Sequence, residues 1–136
     1  MYQLVKILGG RINHGEARVI RVAPIGEAIE SGTPVSVTGG TVTPLSSASE
    51  LAATHVVERR AEAGDASVYV SDLLPGMVFE VPVSSDISLY KIGTRYRADA
   101  ASLSATEASA GKGGAVVYDI PDPESGASLY VTFPCN

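Results

Sequence analysis

The stretch Ser67-Val-Tyr-Val-Ser71, followed by Met77-Val-Phe-Glu-Val-Pro-Val83, decides how this chain folds. In an extended chain Val68 and Val70 fall on one side, with Ser67, Tyr69 and Ser71 on the other. Pro75-Gly76 supplies a turn, after which Met77, Phe79, Val81 and Val83 point one way against Glu80. A period of two marks half-buried strands, and β-branched and aromatic side chains suit a pleated surface. Pro82 cannot donate to a ladder, which places this strand at a sheet edge or a bulge.

Working outward, Gly32-Thr33-Pro34 is a turn into Val35-Ser-Val-Thr38, which alternates. Gly39-Gly40 then reads as a hairpin turn into Thr41-Val-Thr43. Further upstream, residues 18–23 form a strand closed by Pro24. Downstream, Arg95 and Arg97 point outward against Tyr96, and residues 101–114, rich in Ala, Ser and Gly, form a loop or weak hairpin. Val116, Tyr118 and Ile120 make one strand face, and Leu129, Val131 and Phe133 another. Residues 46–64 are contested between helix and strand. Ser47 and Glu50 fit a capping box and Gly64 a helix stop. Leu51, Val56 and Val57 nevertheless make no 3.6-residue stripe, so a short turn of helix leading into a strand at His55-Val-Val-Glu58 fits better.

Punctuation at this spacing gives an all-β fold, a small β-barrel or sandwich of about eight to nine short strands with at most one short helix. Residues 1–15 are set apart as an N-terminal arm or edge strand. Their apolar run, which includes Tyr2, Leu4, Val5, Ile7 and Leu8, is followed by Gly9-Gly10 and Asn13-His14-Gly15. Residues 16–136 make a single β domain, and a chain of 136 residues hides enough surface for a core without staples. The run at residues 1–8 is too short for a signal peptide, and no stretch has the length to span a bilayer.

Fifteen acidic residues against ten basic ones leave a net charge of −5. That balance argues against nucleic acid and against an anionic membrane, both of which need clustered Lys and Arg. The local basic groups, Arg59-Arg60 and Lys91 with Arg95 and Arg97, read as solvated strand faces. The single cysteine, Cys135, cannot form an internal disulfide and reads as a free thiol.

No catalytic centre is legible. The two histidines, His14 and His55, lie in no metal-ligand spacing, so neither metal nor cofactor is expected. Asp119, Asp122 and Glu124 in Asp-Ile-Pro-Asp-Pro-Glu-Ser-Gly superficially suggest a Ca²⁺ loop, but two prolines break the required alternation and leave a strand-to-strand turn. Lys112 in Gly111-Lys-Gly-Gly114 lacks the upstream Gly and the following Ser or Thr of a phosphate loop. No Gly-x-Ser-x-Gly occurs, and the absence of Trp weakens a sugar-hydrolysing reading. The chain is expected not to be an enzyme.

The pattern Gly32-Thr-Pro-Val-Ser-Val, then Gly64-Asp-Ala-Ser-Val-Tyr-Val, Met77-Val-Phe-Glu-Val-Pro-Val83 and the turn Lys91-Ile-Gly-Thr94 resembles the capsid decoration, or cement, proteins of tailed bacteriophages. The resemblance covers residues 18–133. It implies a structural virion protein on the capsid exterior, assembled in the host cytoplasm, that binds the major capsid protein as a homo-oligomer, a trimer by preference. It carries over no catalytic residues, and it makes Tyr2, Leu4, Val5, Ile7 and Leu8 the capsid or subunit interface. Two alternatives stay open: another virion assembly part (a head–tail completion or tail protein), and a ligand-binding β-module.

Overall fold

A computed structural model of the chain describes residues 2–7, 18–21, 28–65, 67–73, 76–110 and 112–134, without the side chains at 6–7 and 18–21. His14, Leu8, Pro24, Pro75, Gly111 and Cys135 lie outside the described residues. The fold is all-β, as the alternation predicts, with eleven strands among the described residues. These are β1 (Gln3–Ile7), β2 (Arg18–Arg21), β3 (Pro34–Thr38), β4 (Thr41–Pro44), β5 (His55–Val57) and β6 (Ser67–Asp72). β7 (Met77–Pro82), β8 (Arg95–Ala98), β9 (Leu103–Glu107), β10 (Ala115–Asp119) and β11 (Ser128–Thr132) follow. The described helix is a single 3-10 turn at Ile87–Leu89, capped by the Asp86 carboxylate, which accepts from Ser88 N.

Two antiparallel sheets share the strands. The larger has the order β1-β7-β11-β10-β8-β9, and the smaller β2-β6-β5-β3-β4. The smaller sheet curls until β2 and β4 approach, enclosing Ile29, Val35, Val42, Val57, Ala61, Val68 and Val70. The larger also bends back on itself. Leu103 at the start of β9 bridges Val83 just past β7, and its carbonyl accepts from Ser84 N at 3.2 Å. Five strands alternating in direction from β7 to β9 leave the two ends parallel, and the closing bridge is indeed parallel. β1 stays outside that partial closure.

The main core lies on the larger sheet. Met77, Phe79 and Val81 of β7, Leu129 and Val131 of β11, and Ala115 and Val117 of β10 all turn inward. Leu45, Leu73 and the half-buried Ala53 and Val56 reach across from the smaller sheet. Here lies the reason for the irregular His55-Val-Val pattern. β5 buries Val57 in one cluster and packs Val56 against the other, so both faces are covered.

Three expectations change. β7 is not an edge strand, because β1 pairs on one side and β11 on the other. Pro82 is tolerated because the described pairing with β1 ends at Glu80. Val83 N bonds Ala127 O at 3.0 Å, so by alternation the Pro82 nitrogen points to the side that β1 has left. On β10 the buried face is Ala115 and Val117, whereas Tyr118 is exposed. A register shift between Val117 and Asp119 changes the phase, so that Ile120 packs against the core again. Finally, Ser47 and Glu50 form no capping box. Glu50 N closes one turn onto Ser46 O at 3.0 Å, and Glu50 then takes a left-handed φ of 50° that ends it.

Candidate functional site

Tyr2 fixes the entry to β1. Its ring is 1% exposed and packs against Phe79 at 6.5 Å and Phe133 at 5.8 Å, between ring centroids. Its hydroxyl donates to Asp99 O at 3.1 Å and faces Ser102 O at 3.4 Å. Burial, and secondarily the Asp99 charge, push that hydroxyl's pKa well above the usual tyrosine value. Of the residues expected to face a partner, Tyr2 therefore belongs to the core.

Leu4 and Val5 are on the surface, 37% and 42% exposed. Leu4 pairs with Phe79 and Lys6 with Val78, which leaves Val5 as the extra residue of a bulge. Bulges of this kind twist and re-aim an edge strand. Beneath Leu4 runs a small cleft of about 140 Å³, lined by Gly32, Val56, Val57, Met77 and Phe79 among others. The backbone of Ile7 pairs with Met77, its side chain is outside the described set, and Leu8 lies outside the described residues. Among the described residues no strand occupies the outer side of β1. The arrangement is an apolar, partly open sheet edge pinned at one end by an aromatic anchor.

The polar candidates are taken up by the fold. His55 Nδ1 lies 2.8 Å from Thr54 Oγ1, which also accepts from Val37 N at 2.9 Å, and His55 Nε2 lies 3.2 Å from Asp72. The series hydroxyl–imidazole–carboxylate is that of a nucleophile relay, but here it ties β3, β5 and β6 together through a hydroxyl already bonded to a strand N–H. The Thr54-His55 adjacency gave no signal of it, because Asp72 arrives only through strand pairing. Asp122 accepts from Glu124 N, Ser125 N and Ser125 Oγ, bonds that hold its carboxyl below the usual range and close the β10–β11 turn. No group of three or more His, Cys, Asp or Glu side chains converges on a metal-sized site among the described residues.

The basic pairs resolve differently from one another. Arg59 and Arg60 follow β5 rather than lying on a strand. Arg60 pairs with Glu30 and Glu62, while Arg59 stands 4.5 Å over the Tyr69 ring. Arg97, on the outer face of β8, pairs with Glu50 at 3.3 Å. Glu50 also accepts from Ser109 N at 2.8 Å and from Ser109 Oγ at 3.0 Å. Those Ser109 bonds, then the Arg97 and Lys112 charges, lower its pKa. Glu50 thus straps the segment after β4 to the one after β9, a role hidden in the sequence by a separation of 59 residues.

The fold and this surface define a two-sheet, all-β protein with an apolar sheet edge. No family model, curated protein or solved structure matches the chain.

Proposed function

We propose that this chain is a structural virion protein, which binds the outer surface of a phage capsid as a homotrimer and stabilises contacts between major-capsid subunits. The observation that carries the reading is the outer edge of β1, with Leu4 and Val5 exposed beside it. An open edge presents a row of backbone N–H and C=O groups, and a partner can add a strand to it. The aliphatic side chains supply apolar area at the same place. Because Tyr2 is already locked in the core, the strand is ordered before any partner arrives, which lowers the entropic cost of docking. A trimer that engages several shell subunits at once multiplies modest single contacts. The net charge of −5 suits an exterior position away from packaged nucleic acid. The resemblance in the Gly32, Gly64, Met77 and Lys91 segments supplies the class.

The test is co-sedimentation of the purified chain with expanded, undecorated phage heads assembled from a major capsid protein alone. Val5→Lys places a charge on the exposed bulge of the edge, and Val5→Asp does the same with the opposite sign, both away from the buried clusters. Each is expected to weaken head binding about tenfold or more with thermal stability unchanged. Wild-type chain that stays in the supernatant, or that forms a single ring at one vertex instead of coating the shell, would falsify the reading. Removing residues 2–8 is the poorer experiment, since it also takes Tyr2 out of the core.

A further inference from the structure

The most exposed large apolar side chains among the described residues are not on β1. They are Leu89, the last residue of the 3-10 turn, and Ile92, in the turn that leads into β8, 56% and 62% exposed. This segment is held rigidly. Tyr96 Oη accepts from Lys91 N at 2.8 Å and lies 3.3 Å from Leu89 O. Tyr90, stacked edge-on to Tyr96 at 5.0 Å between centroids, donates to Leu103 O at 2.6 Å. Thr94 N closes the turn onto Lys91 O at 3.2 Å, with Gly93 at the positive φ of 85° that its third position needs. Gly93 N in turn bonds Val117 O at 2.8 Å, which brings the strand carrying the exposed Tyr118 alongside. Two buried tyrosines thus spend their hydroxyls on positioning two aliphatic side chains in water. Neither Leu89 nor Ile92 belongs to either buried cluster.

We propose that the Leu89–Gly93 turn is a preformed anchor that inserts into an apolar pocket, rimmed by a carboxylate, on the major-capsid subunit beneath. The proposal rests on the shell-binding reading above and names a second contact for it. Rigid aliphatic or aromatic anchors seated in a partner's pocket are the usual centres of binding energy, and preorganisation spares the ordering cost. Lys91 sits between the two apolar side chains, and among the described residues no carboxylate pairs with it, so the complementary rim is acidic. The size of the patch selects the occupant. A few side chains fall far short of the roughly 800 Å² per partner that a stable soluble dimer buries. They suffice where the same contact is repeated over a lattice and joined to the β1 edge.

The experiment is the same head co-sedimentation, run on wild type, Leu89→Ser/Ile92→Ser and Lys91→Glu, with sedimentation velocity of each chain alone. The expected result is a loss of about tenfold or more for the double variant, and a loss for Lys91→Glu that shrinks at high salt, with oligomeric state unchanged. A separate readout concerns the buttress: Tyr96→Phe is expected to speed amide exchange at Lys91 and to weaken head binding, while the outward side chains stay intact. Wild type that binds heads while the double variant binds them equally well overturns the anchor alone. Wild type that does not bind overturns the shell-binding reading and the anchor with it. A double variant that dissociates the free oligomer shows a second copy as the occupant and also overturns the proposal.

Discussion

At the scale of single residues, Tyr2 shows how one side chain converts an apolar terminus into part of a fold. A tyrosine among Leu, Val and Ile looks like one more member of a sticky run, and its burial depends on Phe79, Phe133 and the 99–102 turn. Tyr2→Phe keeps the ring packing and removes the hydroxyl's bond to Asp99 O. The expected cost is about 1 kcal/mol, read as a fall of a few degrees in Tm. The sign with pH follows from the raised pKa. The folded state prefers the neutral hydroxyl, so its contribution is full below the unfolded tyrosine value of ~10 and is lost as pH climbs toward the folded one. Wild type should therefore lose stability more steeply than Tyr2→Phe in alkaline melts, and parallel curves would remove Tyr2 as the cause.

At the scale of elements, the strands were legible wherever one face is polar and obscure where both faces are covered. β6, β8 and β11 largely alternate and fold where their patterns put them. β5 and β10 mislead because contacts made later bury the second face or shift the phase. The connection between β9 and β10 has a comparable hidden constraint. A Cβ placed on Gly113 would run into the Leu51 carbonyl, and Gly113 N donates to Glu50 O at 3.0 Å, so this glycine closes one loop directly against another. Gly113→Ala is expected to cost roughly 1–3 kcal/mol, measured by denaturant unfolding. A cost no larger than that of Ala at an open, solvent-facing loop site would show that the two loops separate freely.

At the scale of the whole molecule, surface carboxylates brace the connections between strands, Asp86 and Asp122 within their own turns and Glu50 from one loop to another. Glu50 accepts from Ser109, Asp86 from Ser88 and Asp122 from Ser125, and each of these bonds lowers the carboxyl's pKa. A depressed carboxyl contributes stability that is present above its unfolded pKa and lost as pH falls through the folded one. Acid is thus expected to loosen the 46–54 and 108–114 loops first, on the Glu50 side. Glu50→Gln should lower Tm near neutral pH and match wild type in acid, where the wild-type carboxyl is itself protonated. A gap in Tm that stays constant across that range would mean that charge on Glu50 is irrelevant to the strap.

The sequence by itself determined the all-β class, the turn at Gly39-Gly40, and the inward faces of β7 and β11, because these depend on a local period of two and on turn residues. It also placed an apolar strand near the start of the chain. The tertiary structure alone decided that Pro82 lies in an interior strand, that Tyr2 is core while Leu4 and Val5 are surface, and that His55 meets Asp72. It also decided that Leu89 and Ile92 stand exposed on a turn buttressed by Tyr90 and Tyr96. Each of these depends on which strands become neighbours across tens of residues, and a local pattern carries no record of its partner.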